Sequence, residues 1–345
     1  MLTYVARRLL LLPVVLLGVT VLIFLLMQLM SPYARLALYV SDADQLKQGR
    51  EGLREMVELL GLDDPVWTQY SRWIGRVLHG DLGWAESARQ PVAAAIRRYL
   101  PASAELALFA VVPVIVFGIW LGKIAAVHQG RFVDHVTRVA ALLGWSIPGF
   151  AFAILMLMTF YGGVSWFPPG RLGWAATRIV TSDAFINYTG LHTIDGLLNG
   201  NLTVVADALR HLVLPVISLA YVSWALLMRL MRSSMLEALR QDYVVTARSK
   251  GLPEREVVDK HAQRNALLPV TTVAGLMVAG LLNGVVVIES VFNFRGLGMF
   301  AAEAAVSLDT AAIVGFTLLN GILLVVTNLV VDVLYARLDP RVRLR

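Results

Sequence analysis

The fold of this chain is decided by the stretch Asp242-Tyr-Val-Val-Thr-Ala-Arg-Ser-Lys-Gly-Leu-Pro253. It is polar, basic and helix-prone, and the Gly-Leu-Pro at its end predicts a turn between two short helices. It lies between two stretches without any charged residue, 212–228 and 265–288. A membrane protein that holds a shaped polar loop between two apolar stretches is expected to present that loop to another protein.

Composition places the chain in a lipid bilayer. Apolar residues make up 57% of it and charged residues 16%, against roughly half and a quarter in soluble proteins. A membrane-spanning helix needs about 20 mostly apolar residues. Six stretches without charge approach or exceed that length: 9–34, 106–122, 139–170, 212–228, 265–288 and 310–331. We therefore predict an all-α integral membrane protein with six transmembrane helices.

The distribution of lysine and arginine predicts the orientation. With the N-terminus inside, 17 of the 30 basic residues fall on cytoplasmic segments, as the positive-inside rule requires. Both termini are then cytoplasmic, and the first apolar stretch is too long for a cleavable signal peptide. The net charge of +6 reflects basic residues beside apolar stretches and does not predict nucleic-acid binding. The absence of cysteine excludes disulfides and thiolate metal sites.

Three regions follow from this pattern. Residues 1–30 hold the first transmembrane helix, 31–100 form an external region with two short amphipathic helices, and 101–345 form the permeation core. Within the core, helices are predicted at about 101–126, 136–161, 210–232, 265–290 and 309–336, with the polar loop at 233–264. A second external insertion, 162–209, is rich in Gly, Asn and Thr and is expected to be loop with little regular structure.

Several motifs, in order along the chain, resemble those of one family. They are Arg7-Arg8 before the first apolar stretch, Gly80-Asp-Leu-Gly83, Leu100-Pro-Ala-Ser-Ala-Glu105, His211-Leu-Val-Leu-Pro215, Glu289-Ser-Val-Phe292 with Gly296-Leu-Gly298, and Leu338-Asp-Pro-Arg341. With the spacing Ala247–Gly251–Pro269, they resemble the B-type permeases of ATP-binding-cassette importers for dipeptides, oligopeptides or nickel. The resemblance implies the type I importer permease fold, in the bacterial inner membrane.

That resemblance implies how the protein is driven. The chain has no G-x-x-x-x-G-K-[ST] phosphate loop, so ATP and Mg²⁺ would be bound by two partner ATPase subunits and no cofactor by this chain. The polar loop would be the coupling helix that docks on an ATPase. The residues expected to serve there are Tyr243, Ala247, Arg248, Lys250, Gly251, Leu252 and Arg255. The other expected partners are a second, C-type permease subunit and an extracytoplasmic substrate-binding protein.

Two further sets of residues are candidates for transport itself. Polar residues in hydrocarbon usually face protein or water, so those of the last two apolar stretches are predicted to line the pathway or to bond between helices: Thr271, Thr272, Asn283, Asn320 and Asn328. Charged residues on the external side are expected to be surface charges that meet the binding protein: Asp81, Glu289, Arg295 and Glu303.

Competing functions remain open at this stage. Within the family, nickel chelates or small oligosaccharides are alternatives to peptides as cargo. An ion-coupled carrier should show ionisable residues in mid-span and internal repeats, and this sequence shows neither. An intramembrane enzyme should show a motif such as H-E-x-x-H or G-x-S-x-G, and both are absent. The chain is therefore expected to be a non-catalytic permease subunit.

Overall fold

A computed structural model describes residues 2–40, 50–283 and 286–338, and helices make up most of them. The α-helices are α1 (Leu2–Met27), α2 (Pro32–Arg35), α3 (Arg50–Leu59), α4 (Val66–Leu78), α5 (Val92–Val127), α6 (Phe132–Ser146), α7 (Gly149–Leu157), α8 (Trp174–Val180), α9 (His192–Leu198), α10 (Leu202–Leu239), α11 (Asp242–Ser249), α12 (Glu254–Glu256), α13 (Gln263–Asn283), α14 (Val286–Val291), α15 (Leu297–Val306) and α16 (Thr310–Leu338). The remaining elements are a 3₁₀ turn (Leu36–Leu38), two π-helical turns (Met158–Gly163 and Val257–Ala262), and the short antiparallel strands β1 (Trp84–Ala85) and β2 (Gln90–Pro91).

Four helices of the described chain are long and apolar enough to cross a membrane. Their spanning segments are Leu10–Met27, Val92–Val127, Leu202–Tyr221 and Thr310–Val330, and a fifth span results if α6 and the segment Gly149–Gly163 count as one. A further predicted span, 265–290, corresponds to α13 and α14, which are not among these candidates. The protein is thus an all-α membrane protein with four to five candidate spans, and the count of six stays a prediction.

The core is organised around α10. This helix has 38 residues, which at 1.5 Å per residue makes it roughly 57 Å long. It packs against α5, α6, α7, α9 and α13. Buried side chains on it, such as Leu212 and Met231, belong to two separate apolar clusters, one toward each end. Because it is much longer than the roughly 30 Å of hydrocarbon, α10 connects both faces of the protein.

The stretch predicted as one helix over 136–161 is broken, which corrects that prediction. The axis turns by 103° between α6 and the helical segment Gly149–Gly163. Pro148 explains the break, because proline lacks an N–H donor and disfavours the helical conformation of the residue before it. Ile147 is accordingly extended, with φ −89° and ψ 121°. The ring of Phe152 then stacks on Tyr221 of α10 at 4.1 Å, which holds α7 against the core.

The described part of the region 31–100 packs on the C-terminal end of α1. Its helices α3 and α4 lie where two short amphipathic helices were expected. On α4, Trp73 is buried against Phe24 of α1, and the Tyr70 hydroxyl lies 2.9 Å from the Thr20 hydroxyl. The buried Arg35 donates to the Gln69 side chain at 2.7 Å. These contacts tie the region to the first span.

The insertion 162–209 is ordered, contrary to the expectation of a loop with little regular structure. It contains α8 and α9, and buried Asp195 accepts hydrogen bonds from the Thr189 and Gly190 N–H groups at 2.9 and 2.8 Å. It is also bonded to α10, since the Gly173 N–H donates to Asp207 at 2.6 Å. Short polar side chains that bond to nearby backbone add to a small apolar cluster, which includes Val180 and Phe185, in giving the insertion its order.

A buried ion pair joins this insertion to α5. The Arg171 guanidinium donates to Glu105 at 2.7 Å and to the Gly190 carbonyl at 2.9 Å. The other Glu105 oxygen accepts the Thr193 N–H and hydroxyl, both at 2.8 Å. Only 2% of the Glu105 side chain is exposed. A carboxylate in such a place is tolerable only when its charge and both oxygens are satisfied.

Removal of one partner of this pair should destabilise the fold. We expect Arg171→Met to lower the free energy of unfolding by about 3–5 kcal/mol, because it leaves Glu105 charged and unpaired in a buried site. Thermal unfolding in detergent measures the change. In the double variant Glu105→Gln/Arg171→Met part of that loss should be recovered. Arg178→Met, which removes an exposed arginine of the same insertion, is the control, and an equal loss there would contradict the assignment.

His192 makes the same region sensitive to acid. Burial, together with the nearby Arg171 charge, lowers the pKa of His192 from 6.5 to about 4. Between about pH 4 and pH 6.5 the unfolded chain binds a proton at His192 and the folded chain does not. The free energy of unfolding therefore falls as the pH is lowered through this range. At pH 5 the loss is about 2 kcal/mol. We expect the melting temperature of His192→Gln to drop less between pH 7 and pH 5 than that of the wild type.

His79→Gln provides the matched control for this experiment, since His79 lies on an exposed helix end. Its melting temperature should follow the wild type through the same pH range. If His192→Gln and the wild type lose equal stability on acidification, the buried histidine is not the source of the effect.

Candidate functional site

The helix α11 is held in place by one narrow face. Val244 and Ala247 on this face are buried, with 0% and 5% of their surface exposed. They pack in one cluster with Met235 of α10 and with Val257 and Ala262 of the second π-helical turn. Burial of this face fixes the position of α11 relative to the helices on either side. Ala247 was expected to contact a partner, but its side chain contacts its own chain.

The predicted turn after α11 is present and is closed by an ion pair. Gly251 has φ +77°, which L side chains rarely adopt, and a Cβ built there meets no atom within 4 Å. The Arg248 guanidinium donates to both Glu254 carboxylate oxygens, at 3.0 and 2.6 Å. This hydrogen bonding raises the pKa of Arg248 and lowers the pKa of Glu254. Arg248 therefore stabilises the turn in addition to any contact it makes with another protein.

The rest of the surface of α11 is exposed and partly apolar. Tyr243 is 38% exposed and Val245 is 58% exposed. Lys250 and Arg255 are exposed at the turn, whereas Leu252 is half-buried against the cluster beneath α11. A cleft of about 290 Å³ lies beside Tyr243, between the end of α10 and the start of α13. The sequence identified Tyr243 but missed Val245, whose exposure depends on which face of α11 is buried.

Three long helices would move with α11. Its buried face lies against the end of α10 and against the π-helical turn that continues directly into α13. The Lys123 ammonium of α5 contacts Asp259 of that turn at 2.6 Å, and this hydrogen bond lowers the pKa of Asp259. A displacement of α11 is thus transmitted to α5, α10 and α13 through packed and ion-paired contacts.

The predicted pathway residues do not converge on one site. Thr271 and Thr272 donate their hydroxyls to the Leu268 carbonyl of their own helix, at 2.9 and 3.3 Å. Asn320 of α16 donates to the Phe316 carbonyl at 3.1 Å. Asn328 is half-buried further along α16, and the side chain of Asn283 lies outside the described residues. α13 and α16 pack together, so these residues share a region without forming a cluster.

A cleft between α7, α10, α13 and α14 is a stronger candidate for the pathway. It measures about 450 Å³, and its lining includes Gly149 and Gly280, which have no side chains to fill the space. Its walls are mostly apolar, with Phe150 and Met277 among them. Ser218 also lines it and is fully buried, and its hydroxyl has no hydrogen-bond partner in the described chain. No local pattern distinguished Ser218, because one serine in an apolar helix is common.

Glu289 is not a surface charge, which corrects its predicted place on the external face. It is fully buried, accepts a short hydrogen bond from the Ser103 hydroxyl and accepts the Met299 N–H at 2.9 Å. The Ser103 hydroxyl in turn accepts the Leu297 N–H at 2.8 Å. A Cβ on Gly296 would lie 2.3 Å from the Glu289 carboxylate. Two of the motifs quoted above therefore meet at this buried carboxylate.

The other external candidates remain accessible. Arg295 and Glu303 are exposed. Asp81 is half-exposed but is engaged in its own turn, where it accepts the Arg76 guanidinium and, at 3.1 Å, the Gly83 N–H. Gly83 is required there, since a Cβ would lie 2.5 Å from the Ala37 carbonyl. Asp81 thus shapes the outer surface, while Arg295 and Glu303 are free to meet a partner.

Comparison with known families agrees with this geometry. The family described as "Binding-protein-dependent transport system inner membrane component" matches residues 89–344, a range that runs from β2 beyond α16. The chain belongs to this family. It is accordingly a permease component of the inner membrane, and the helices and external regions described above are those of a permease.

Individual relatives of the permease match over most or all of its length. It is 39% identical over 285 residues, 82% of each chain, to the probable D,D-dipeptide transport system permease protein DdpB of Escherichia coli K12. It is 37% identical to the di/tripeptide transport system permease protein DppB of Pseudomonas aeruginosa, with 99% of each chain covered. It is 33% identical to the oligopeptide transport system permease protein AppB of Bacillus subtilis, again with 99% of each chain covered.

Two substitutions at Gly251 of the permease separate backbone strain from contact with a partner. Valine and asparagine add side chains of similar size, but asparagine tolerates positive φ and a β-branched residue does not. If the conformation of the turn is what matters, Gly251→Val should abolish substrate uptake and Gly251→Asn should retain most of it. Uptake in cells, corrected for the amount of permease in the membrane, measures this.

The result for Gly251→Asn shows whether a bound subunit lies close to this glycine. The chain itself leaves room for a Cβ at Gly251, so loss of uptake in both variants would mean that a bound subunit approaches this glycine closely. Normal uptake by Gly251→Val would contradict a coupling role for the turn.

Proposed function

We propose that this chain is the transmembrane translocation subunit of an ATP-driven importer of dipeptides and oligopeptides. The observation that carries the coupling part of the proposal is the exposure of two apolar side chains of α11, Tyr243 and Val245, which flank its buried face. Because that buried face already holds the helix in place, the two exposed side chains are available as anchors for a protein partner. The proposal for the cargo is supported by the relatives, which are named as dipeptide, tripeptide and oligopeptide permeases.

In this proposal α11 inserts into a groove on a partner ATPase. Tyr243 and Val245 are the apolar anchors, and Lys250 and Arg255 are charges at the rim. The Arg248–Glu254 pair keeps the turn rigid, so the helix moves as one body when the ATPase closes on ATP. Partner ATPases supply the nucleotide chemistry, and no ATP or Mg²⁺ is bound by this chain.

Movement of α11 opens the pathway through the three helices it contacts. Rigid-body rocking of α5, α10 and α13 alternately exposes the two sides of the membrane. We place the cargo route along the cleft that contains Ser218, where an unpaired hydroxyl offers one hydrogen bond to a peptide backbone. The apolar walls with Phe150 and Met277 suit side chains of many shapes. A second, C-type permease subunit completes the route, with six spans per subunit and both termini cytoplasmic.

The external face receives cargo from a binding protein. Arg295 and Glu303 are exposed beside the buried Glu289–Ser103 contact, which fixes the start of α5 against α14 and α15. The positive charge of Arg295 and the negative charge of Glu303 suit a protein partner that must dock in one orientation. The ordered insertion 162–209 widens this surface.

Disruption of the exposed face of α11 tests the coupling. We expect Tyr243→Ser/Val245→Asp to weaken association with the ATPase subunits by roughly tenfold or more, because loss of two interface anchors typically costs at least that. Affinity pull-down of the assembled complex measures it. Tyr188→Ser/Val306→Asp changes the same residue types at exposed external positions and should leave the ATPases bound.

Reconstitution tests the whole function. Vesicles with the permease, its C-type partner, the ATPases and the binding protein should accumulate a labelled dipeptide only when ATP is supplied. Vesicles with the permease alone should accumulate none, even under a proton or sodium gradient. Gradient-driven uptake by the permease alone would contradict the proposal, as would ATP-driven uptake of a nickel chelate but no peptide.

A further inference from the structure

A second cleft lies between the second half of α6 and the C-terminal part of α10. It measures about 790 Å³ and is larger than the cleft that contains Ser218. One part of its lining is apolar and consists of Ala141, Leu142, Trp145, Ala225, Met228 and Leu236. The other part is polar and mostly basic, and consists of Arg138, Arg229, Arg232, Ser233, Glu237, Arg240 and Gln241.

The apolar and basic parts are stacked along the membrane normal. The Asp134 carboxylate of α6 accepts two bonds from Arg232 of α10, at 2.7 and 2.8 Å, which places these two residues at one level. Arg138 follows Asp134 by four residues and Arg229 precedes Arg232 by three, so each lies roughly one turn further into the membrane. Each also stands at the end of a stretch without charge. The two arginines therefore face each other across the cleft at the edge of the hydrocarbon.

These two arginines carry charge that no described side chain pairs with directly. Asp134 balances Arg232, whereas neither Arg138 nor Arg229 has an ion-pair partner among the side chains that the structure describes. Glu237 is the one acidic residue of the lining, and it is offset by Arg240. The mouth of the cleft is thus about two charges positive, at the depth where lipid phosphates lie.

An aromatic side chain marks the boundary between the two parts. The Arg229 guanidinium lies 5.1 Å from the ring centre of Trp145, and Trp145 is 62% exposed. Tryptophan with its ring against the acyl chains and an arginine head turned toward the phosphates is the usual arrangement at a membrane interface. Leu142, which is 60% exposed, extends the apolar wall beyond it.

We propose that this cleft binds one anionic phospholipid. Its phosphate lies between Arg138 and Arg229, and one acyl chain runs along Leu142 and Trp145. Basic pockets between transmembrane helices on the cytoplasmic side favour anionic head groups. A protein partner would have to bury an acidic residue at the edge of the hydrocarbon to satisfy the same charge, which is costly. The assignment to the inner leaflet rests on the orientation in the proposed function.

Lipid counting tests the site directly. Native mass spectrometry of the permease, purified with the subunits that remain attached, should show selective retention of phosphatidylglycerol over phosphatidylcholine. In Arg138→Gln/Arg229→Gln the affinity for phosphatidylglycerol should fall by roughly 10- to 30-fold, with phosphatidylcholine unaffected. The matched control is Arg131→Gln/Arg264→Gln, which removes two exposed arginines at the same side but outside the cleft.

Four results would overturn the proposal. They are equal losses of lipid in the variant and the control, no loss in either, displacement of the lipid by soluble glycerol phosphate at the same concentration, and loss of a permease partner from the variant with its lipid count unchanged. The third result would indicate a site for free phosphates, and the fourth a protein interface.

A second measurement needs no arginine variant. Phosphatidylglycerol with brominated acyl chains should quench the tryptophan emission of the wild type more than brominated phosphatidylcholine does, and the difference should vanish in Trp145→Phe. A difference that persists in Trp145→Phe would place the lipid elsewhere and overturn the proposal. Neither readout involves uptake, so failure here leaves the proposed function standing, and failure of uptake leaves the lipid site standing.

Discussion

The length of α10 is the constraint on which the rest of the structure depends. Within hydrocarbon a chain must satisfy every backbone group internally, so it crosses as helix. At roughly 57 Å, α10 continues well beyond the roughly 30 Å it has to cross. Its N-terminal part, at Asp207, holds the insertion 162–209, and its C-terminal part, at Met235, holds α11. One continuous helix therefore contacts both α11 and the insertion 162–209. A displacement of α11 has a direct structural route along α10 to that insertion.

Three ion pairs fix the helices that surround α10. Glu105 pairs with Arg171 toward the N-terminal end of α10, and Asp134 with Arg232 and Lys123 with Asp259 toward its other end. Each pair joins segments that are far apart in sequence. A charge near hydrocarbon is costly unless it is paired, so each pair selects one arrangement of its two segments over those that would leave a charge unmatched. Apolar contacts drive the packing of the helices, and the ion pairs determine how the packed helices are aligned.

The sequence predicted those parts that depend on local pattern. The charge-free stretches marked the spanning parts of α1, α5, α10 and α16, and Gly251-Leu-Pro253 marked the turn after α11. Features that depend on distant residues escaped it. Glu289 is buried because Ser103, 186 residues away, donates to it, and the local sequence gives no sign of that partner. Pro148 was visible, but a bend of 103° is set by packing of α7 on α10. The order of the insertion comes from single polar side chains such as Asp195 together with a small apolar cluster around Phe185. The exposure of Val245 follows only once the buried face of α11 is known.

The bend after α6 has a consequence for the surrounding membrane. α6 has 15 residues and rises roughly 22 Å before the chain turns sideways into α7, whereas the hydrocarbon is about 30 Å thick. α6 alone is therefore about 8 Å shorter than the hydrocarbon, and the helical segment Gly149–Gly163 beyond the bend has to complete the crossing. Lipid tails on this flank lie beside two short helical segments instead of one straight helix. A mismatch between helix length and bilayer thickness costs fractions of a kcal/mol per Å, so a change in the fatty-acid length of the membrane is expected to act on this flank first.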